Sequence, residues 1–159
     1  MRKWFTPLTL VAAGFLLAAP AKAQQKDLVE TAVAAGSFKT LAKLLTEANL
    51  IGVMKSPGPF TVFAPTDEAF AKVPKETLDA LAKDKVKLAK VLQYHVLTSR
   101  WTTDDLKLVK RAGTAEGQSV TIAVSGSTIA INGAKIIQPD VGASNGVIQV
   151  IDAVLMPPK

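Results

Sequence analysis

Residues 58–70, which read GPFTVFAPTDEAF, predict a β-strand that runs directly into an α-helix. Apolar residues alternate from Phe60 to Ala64, as in a strand with a buried face, and the following proline ends the strand. Thr66 or Asp67 can then cap the helix, because a side-chain oxygen at that position accepts a backbone N–H that has no partner within the helix. We therefore expect both residues to serve the fold rather than a binding site.

Helical patterns lie on both sides of this stretch. Upstream, apolar residues recur with the spacing of one helix face, and Ser37 is the expected N-cap. The residues of this face are Phe38, Leu41, Ala42 and Leu45. Downstream, two further helices are predicted, one over residues 74–83 and one that follows Asp84 and closes at Tyr94 and His95. The first half of the chain is therefore predicted to be mostly helical.

The second half of the chain changes to the two-residue period of β-strands. Val120, Ile122 and Val124 alternate with other residues, and Asn132-Gly133 supplies the positive φ angles of a two-residue hairpin. Residues 147–155 are apolar on both faces, which is typical of a central strand that is covered on both sides. Helices followed by an antiparallel meander predict a single α+β domain, with the helices gathered against the sheet.

Two polar features of the last predicted strand have structural explanations. Asn145 and Gly146 form the turn that starts the strand, where backbone angles closed to most residues are needed. Asp152 lies within an otherwise apolar run, so a covered Asp152 side chain must be hydrogen-bonded, since an unpaired buried carboxylate costs several kcal/mol. We expect all three residues to be structural.

Three segments, taken together, resemble the fasciclin (FAS1) domain family. They are residues 58–70, the YHVL segment at 94–97 and the NGVIQVIDAVL segment at 145–155, and the resemblance extends over residues 27–157. The resemblance implies a wedge-shaped β-sandwich with helices packed against it. Gln149 departs from the family pattern, because many members carry a histidine at this position. This departure argues against any role that needs a second imidazole, but not against the fold.

The first 23 residues have the organisation of a cleaved secretory signal peptide. Two basic residues precede an apolar run from Leu8 to Ala19, and AKA at 21–23 fits an A-x-A cleavage site. The apolar run is about a dozen residues long, whereas a membrane-spanning helix needs roughly 20. We therefore expect an exported protein, periplasmic, secreted or at the cell surface, with a single domain over residues 24–159 and no transmembrane segment. Removal of the signal lowers the formal net charge from +6 to +3.

Composition excludes most catalytic and metal-binding chemistry. The 159 residues include no cysteine and one histidine, so disulfide scaffolds, thiolate metal sites and sites with two imidazoles are excluded. The acids form no D-x-D-x-D-G calcium loop, and the glycines form no phosphate-binding motif. Lysines are spread singly, without the basic and aromatic stripe that nucleic-acid binding requires. We expect no metal, no cofactor and no nucleic acid.

A serine hydrolase is the enzyme class for which the sequence offers a literal motif. GASNG at 142–146 matches G-x-S-x-G, but a nucleophile elbow needs a helix after the serine and a histidine later in the chain. Here a strand is predicted to follow Ser144, and the single histidine, His95, precedes it. We therefore expect no enzyme activity.

Tyr94 and His95 are the remaining candidate binding residues. They lie between a helix and the strand-like Val96-Leu97. Adjacent strand residues point to opposite faces, so we expect at most one of the two to face the core. Two interpretations stay open, a hydrogen-bonded structural pair and a contact surface. The second follows from the resemblance, since the Tyr-His region of animal family members is implicated in integrin recognition and adhesion.

The resemblance implies a non-enzymatic exported module that mediates cell adhesion or protein–protein contact at the cell envelope. The contact would be made by surface loops and a small polar-aromatic patch around Tyr94 and His95, with a protein or cell-surface structure as the partner. The alternative is an extracytoplasmic carrier of an apolar small molecule such as a lipid or pigment. The chain is apolar enough to enclose a cavity between helices and sheet, although the same residues suffice to fill a core.

Overall fold

Helices dominate the first half of the described chain and strands dominate the second. The computed structural model describes residues 26–158, so the predicted signal peptide, residues 1–23, lies outside the described residues. Within residues 26–158 the helices are α1 Leu28–Ala35, α2 Lys39–Glu47, α3 Ile51–Lys55, α4 Asp67–Ala71, α5 Lys75–Lys83, α6 Lys85–Tyr94 and α7 Thr103–Lys107. The strands are β1 Phe60–Pro65, β2 Val96–Leu97, β3 Arg111–Gly113, β4 Ser119–Ser125, β5 Thr128–Ile131, β6 Ala134–Ala143 and β7 Gly146–Ile151. None of the helices in this range is both long enough and apolar enough to cross a membrane.

The strands form one seven-stranded sheet in the order β2-β1-β7-β6-β5-β4-β3. β7 is an interior strand, the third in this order, parallel to β1 and antiparallel to β6, and every residue of β7 is buried. The predicted central strand is therefore confirmed, and so is the antiparallel meander from β3 to β7. The strand ends at Ile151 rather than Leu155, and at the next position the Asp152 side chain, not its backbone oxygen, accepts from the Lys135 N–H. The sequence analysis did not predict that β1 pairs in parallel with β7.

Alternate side chains of the two central strands enter two separate hydrophobic clusters. On one side, Val62 of β1 and Ile148 of β7 pack with residues of α1, α2, α3 and α6. On the other side, Phe63 and Ile151 pack with residues of β3, β4 and β5 and with Leu106 of α7. The predicted α+β class is confirmed, because helices cover one face of the central strands while the other face packs on more sheet.

The hairpin between β5 and β6 forms as predicted. Asn132 and Gly133 have φ angles of 48° and 87°, the left-handed values that a two-residue turn of this kind needs. The Asn132 side chain also makes tertiary bonds: its Oδ1 accepts from the Thr121 N–H at 2.7 Å, and its Nδ2 donates to the Tyr94 hydroxyl at 2.6 Å. The hairpin is thereby fixed to β4 and to the end of α6.

The expected N-cap of α2 is wrong. Phe38 occupies the N-cap position, and the helix has no capping side chain of its own. Ser37 instead offers its carbonyl oxygen to the Asp67 N–H at 2.8 Å. The apolar face is as predicted, since Phe38, Leu41 and Leu45 are buried. The cap that α2 lacks comes from another part of the chain, which local sequence patterns do not reveal.

Candidate functional site

Tyr94 and His95, the candidate binding residues, lie where α6 meets β2. Tyr94 is the last residue of the helix, and His95 is its C-cap with φ and ψ angles of −86° and −3°. Both residues are buried, with exposed fractions of 1% and 2%. The expectation that at most one of them faces the core is therefore wrong, because the alternation of strand residues does not apply to helical backbone angles.

The Tyr94 side chain connects α6 to the second layer of sheet. Its ring packs in the same cluster as Phe63 and Leu106. Its hydroxyl donates to Ser119 O at 3.3 Å and accepts from Asn132 Nδ2 at 2.6 Å. Tyrosine stabilises a core when the ring is buried and the hydroxyl has partners, and both conditions hold here.

Both ring nitrogens of His95 are occupied by backbone groups. Nδ1 lies 2.7 Å from Val91 O, and Nε2 accepts from the Leu155 N–H at 2.9 Å. A carbonyl oxygen can only accept and an N–H can only donate, so these partners select the neutral tautomer with its proton on Nδ1. Burial lowers the pKa of His95 to about 4, against the opposing effect of the bond to Val91. The ring is therefore neutral at pH 7, and it ties α6 to the chain that follows β7.

The exposed polar-aromatic patch that the resemblance implies does not exist at these positions. With 1% and 2% of Tyr94 and His95 exposed, a partner cannot reach either side chain in this conformation. This is a correction to the expected surface, and its cause is that two layers pack over the end of α6. The pair can affect a surface only through the elements that it holds in place.

Thr66 and Asp67 cap two different helices. Thr66 is the N-cap of α4, and its Oγ1 accepts from the Ala69 N–H at 3.2 Å. The Asp67 carboxylate accepts from the backbone N–H groups of Thr40 at 2.8 Å and Lys39 at 3.4 Å, at the start of α2. Desolvation opposes ionisation of Asp67, but these hydrogen bonds prevail and hold its pKa below the usual value. Asp67 thus supplies the missing cap of α2.

Asn145 and Gly146 join three segments at the start of β7. Asn145 Nδ2 donates to two carbonyl oxygens at the end of α3, at 2.7 and 2.9 Å, and its Oδ1 accepts from the Leu28 N–H at 3.0 Å. Gly146 is needed because a Cβ at this position would collide with Phe60 O across the parallel β1–β7 pair. Its φ lies outside the left-handed region. The requirement is therefore close approach and not the unusual backbone angle that the sequence suggested.

Asp152 lies just after β7 and joins it to the start of β6 and to α4. Its Oδ1 accepts from the Lys135 N–H at 2.8 Å, and its backbone oxygen accepts from Lys72 Nζ at 3.0 Å. The residue is half-buried, so part of it stays in contact with solvent. The carboxyl group is tolerated in this position because it has both a backbone partner and access to water.

A polar cluster around the buried Gln149 holds the segment before α7 against the interior strands of the sheet. Gln149 accepts from the Asp140 N–H at 3.0 Å and donates to Asp140 Oδ1 at 2.8 Å and to Trp101 O at 3.2 Å. Asp140 also accepts from the N–H and the hydroxyl of Thr103, at 2.9 and 2.6 Å. The Thr61 hydroxyl of β1 accepts from the Trp101 N–H at 2.7 Å. The Gln149 amide therefore bridges Asp140 and the segment before α7.

Sequence reasoning singled out Gln149 only as a departure and missed its partners. Asp140 has a φ of 53°, an uncommon value that aspartate tolerates better than most residues, and Thr103 lies 37 positions away. Although desolvation raises the pKa of Asp140, hydrogen bonds from Thr103 and Gln149 outweigh it and lower the pKa below the usual value. No local pattern marks this cluster, since each bond depends on the tertiary fold.

The described polar groups do not assemble a recognisable metal or hydrolase site. Among residues 26–158, no three His, Asp or Glu side chains are placed to hold a metal ion. After Ser144 the chain enters β7, whereas a nucleophile elbow leads into a helix. The ring nitrogens of His95 are bonded to Val91 and Leu155 instead of a serine. The G-x-S-x-G match therefore has no structural counterpart of the elbow.

The space between the helices and the sheet is nearly filled. The apolar gap lined by Leu28, Leu41 and Ile148, among others, has a volume of about 20 Å³, which is room for one water molecule. A second gap, beside His95, has a volume of about 10 Å³. Pockets that hold small organic ligands are about 300–1,000 Å³. Neither gap in the described chain offers the cavity that a lipid or pigment carrier needs.

Comparisons with known proteins agree with this architecture. The family model of the Fasciclin domain matches residues 36–157. The chain is 42% identical over 130 residues to the uncharacterized protein sll1735 of Synechocystis, which covers 82% of this chain and 97% of that protein. It is 33% identical over 147 residues to the immunogenic protein MPB70 of Mycobacterium bovis, which covers 87% of this chain and 75% of that protein.

A solved structure is similar in fold. It is the FAS1 domain pair from the insect cell adhesion molecule Fasciclin I, with a TM-score of 0.61 and 21% sequence identity, covering 77% of this chain and 46% of that chain. At this level of identity the similarity concerns the fold alone. The family match, in contrast, spans all three of the segments that carry the sequence resemblance. On that evidence, this chain belongs to the fasciclin domain family.

Proposed function

We propose that this protein is an exported, non-enzymatic fasciclin domain that mediates adhesion or protein–protein contact at the cell envelope or outside the cell. The observation that carries the proposal is the family match over residues 36–157. The related solved structure comes from an insect cell adhesion molecule, and we extend that role to this chain in the general form of protein contact. Export is inferred from the signal-like first 23 residues.

The motif side chains form hydrogen bonds within the domain, which supports a function in protein–protein contact rather than in catalysis. Asp67, Asn145 and Gln149 direct their hydrogen bonds to backbone groups of other segments. His95, the one imidazole in the sequence, is buried with both nitrogens paired. Groups that are committed in this way give a rigid domain rather than a reactive site. Recognition is then left to exposed loops, helix faces and strand edges.

Tyr94 and His95 take a supporting role in this proposal. Tyr94 ties α6 to β4 and to the β5–β6 hairpin, and His95 ties α6 to the chain after β7. Loss of either set of bonds would loosen surface elements on more than one side of the domain. A substitution here can therefore weaken partner binding although the partner touches neither residue.

Crosslinking capture in the native envelope and extracellular fractions tests the contact function. The bait is the exported chain with a photo-crosslinking residue at one exposed apolar position, either Val33, Val86 or Leu108. We expect a reproducible partner protein with at least one of these baits. A bait with Gly146→Val is the misfolded control, because its Cβ collides with Phe60 O. Capture no stronger than that of the control would refute the proposal.

The variant Tyr94→Phe tests the supporting role. It removes the hydroxyl that bonds to Ser119 and Asn132 but keeps the buried ring. We expect the free energy of unfolding, measured by urea denaturation, to fall by about 1 kcal/mol, and any loss of affinity for the captured partner to accompany that fall. A folded variant with wild-type stability and weakened binding would contradict this role, because it would place the hydroxyl in the interface.

A further inference from the structure

The sheet has an open edge along the second half of β4. β3 pairs with β4 over Ser119–Thr121, and the Ile122 N–H bonds to Lys110 O just beyond the end of β3. In the described chain, residues 123–125 of β4 therefore pair with a strand on the β5 side alone. Alternate residues of an antiparallel strand bond to opposite neighbours, so the N–H and C=O of Val124 point towards the open side.

A surface groove runs beside this open edge. Its volume is about 550 Å³, within the range of protein binding pockets. Residues 107–111 line one side, and Thr121, Ile122 and Val124 line the other. Leu108 is 84% exposed and Val124 is 45% exposed. The groove thus combines unpaired strand backbone with accessible apolar side chains, which are the two features that β-strand addition uses.

The groove is positively charged. Lys107, Lys110 and Arg111 line it, and the described residues that line it include no acid. Lys107 makes a weak exposed pair with Asp104 at 3.5 Å, whereas Lys110 and Arg111 are exposed with no ion pair among the described residues. A partner segment with carboxylates would complement these charges. A second copy of this chain would bring the same cations to the same edge, and like charges oppose such pairing.

We propose that the open edge of β4 and this groove bind an extended segment of a partner protein in which acidic and apolar residues alternate. The segment adds to the sheet beyond the end of β3 and bonds to the N–H and C=O of Val124. Its apolar side chains contact Leu108 and Val124, and its carboxylates approach Lys110 and Arg111. The inference rests on the proposed function, since it names the surface and the kind of partner for that contact.

Peptide binding to the exported chain tests the assignment directly. The probe is a capped peptide of about eight residues that alternates valine with aspartate or glutamate, long enough to pass the groove as a strand. We expect NMR shift changes confined to residues 107–111 and 121–125, and an affinity that falls as salt is added. The same peptide with alternate backbone nitrogens methylated keeps its charge but cannot add to a sheet. Equal binding of the methylated peptide would overturn the inference.

Two variants separate backbone addition from charge attraction. Val124→Pro removes the outward N–H while leaving the β5 bonds, since proline is tolerated on edge strands; we expect loss of at least about tenfold in peptide affinity. Lys110→Glu combined with Arg111→Glu is expected to weaken binding about tenfold or more. Lys90→Glu, which reverses an exposed charge on α6, is the matched control and should not change affinity. Wild-type affinity in the folded charge-reversal variant would overturn the inference, whatever the fate of Val124→Pro.

Competing occupants give different results. If sedimentation shows a dimer that Val124→Pro abolishes, a second copy of the chain fills the edge. If single-stranded DNA of equal charge displaces the peptide, the groove is a general anion-binding surface. Either result overturns the inference. A captured partner that binds both groove variants as tightly as wild type overturns the groove assignment and leaves the contact function standing. Peptide binding to the groove without any captured partner refutes the contact function instead.

Discussion

Acidification from pH 7 to pH 4 should destabilise this protein through one buried ring. His95 is neutral in the folded state because Nε2 must accept from the Leu155 N–H, and burial lowers its pKa to about 4. In the unfolded chain the same ring has its ordinary pKa of 6.5. Between these two values the unfolded state binds a proton that the folded state cannot accept. Protonation would also place an N–H on Nε2 against the Leu155 N–H, with no acceptor between them.

The sign and size of the effect follow from linkage. Above pH 6.5 the ring is neutral in both states, so it adds no pH dependence to the free energy of unfolding. Below that value the unfolded state gains the proton first, and the free energy of unfolding falls by about 1.4 kcal/mol for each pH unit. The fall ends near the folded pKa of about 4. The total loss from His95 is therefore about 3 kcal/mol, a large part of the stability of an ordinary domain.

Urea denaturation of wild type and His95→Gln at both pH values isolates this contribution. A glutamine amide can donate to Val91 O and accept from the Leu155 N–H, but it does not titrate in this range. Protonation of Asp67 and Asp140, whose pKa values are lowered in the folded state, also destabilises the protein in acid. This loss is the same in wild type and in the variant, so it cancels in the comparison. We expect wild type to lose about 3 kcal/mol more than the variant. Equal losses would show that His95 is not held neutral by its surroundings and would refute the reasoning.

Substitutions at three places in the fold test the structural assignments. Asp67→Ala should lower the free energy of unfolding by about 1 kcal/mol and speed amide exchange at the start of α2. Thr66→Ala should speed amide exchange at the start of α4 instead. The reverse pattern would contradict the assignment of Asp67 to α2 and Thr66 to α4. Gly146→Ala should cost about 3 kcal/mol or prevent folding, because its Cβ meets Phe60 O. Gly142→Ala, which has open space around its Cβ, is the near-neutral control, and equal urea midpoints for the two would exclude the collision. Gln149→Leu should cost about 1–3 kcal/mol by leaving buried backbone groups unpaired, and an unchanged urea midpoint would mean that water or a rearrangement replaces the amide.

Features that depend on a few neighbouring residues could be predicted from the sequence. The α5 helix, Lys75–Lys83, begins within one residue of the prediction, because proline and the apolar spacing mark it locally. The Asn132-Gly133 turn forms as predicted, because its φ angles follow from those residue types. The interior position of β7 could also be predicted, since a strand that is apolar on both faces needs cover on both.

Features that depend on distant partners could not be predicted. Asp67 was a clear capping residue, but only the fold reveals that it caps α2, 27 positions from Thr40. Tyr94 and His95 were marked by the resemblance, but their burial depends on layers contributed by other parts of the chain. The groove beside β4 arises because β3 is shorter than β4, and strand ends are the least certain part of any sequence-based assignment. The sequence analysis placed Tyr94 and His95 at a surface, whereas the structure buries both side chains.

The position of β7 has a consequence for biosynthesis. This strand comes last among the described strands in synthesis, yet it lies inside the sheet, between β1 and β6. A chain that ends before residue 146 lacks the one strand that joins β1 to β6, so its sheet is split into two pieces with exposed edges. A prematurely terminated fragment without β7 would therefore keep unpaired strand edges and be prone to aggregate.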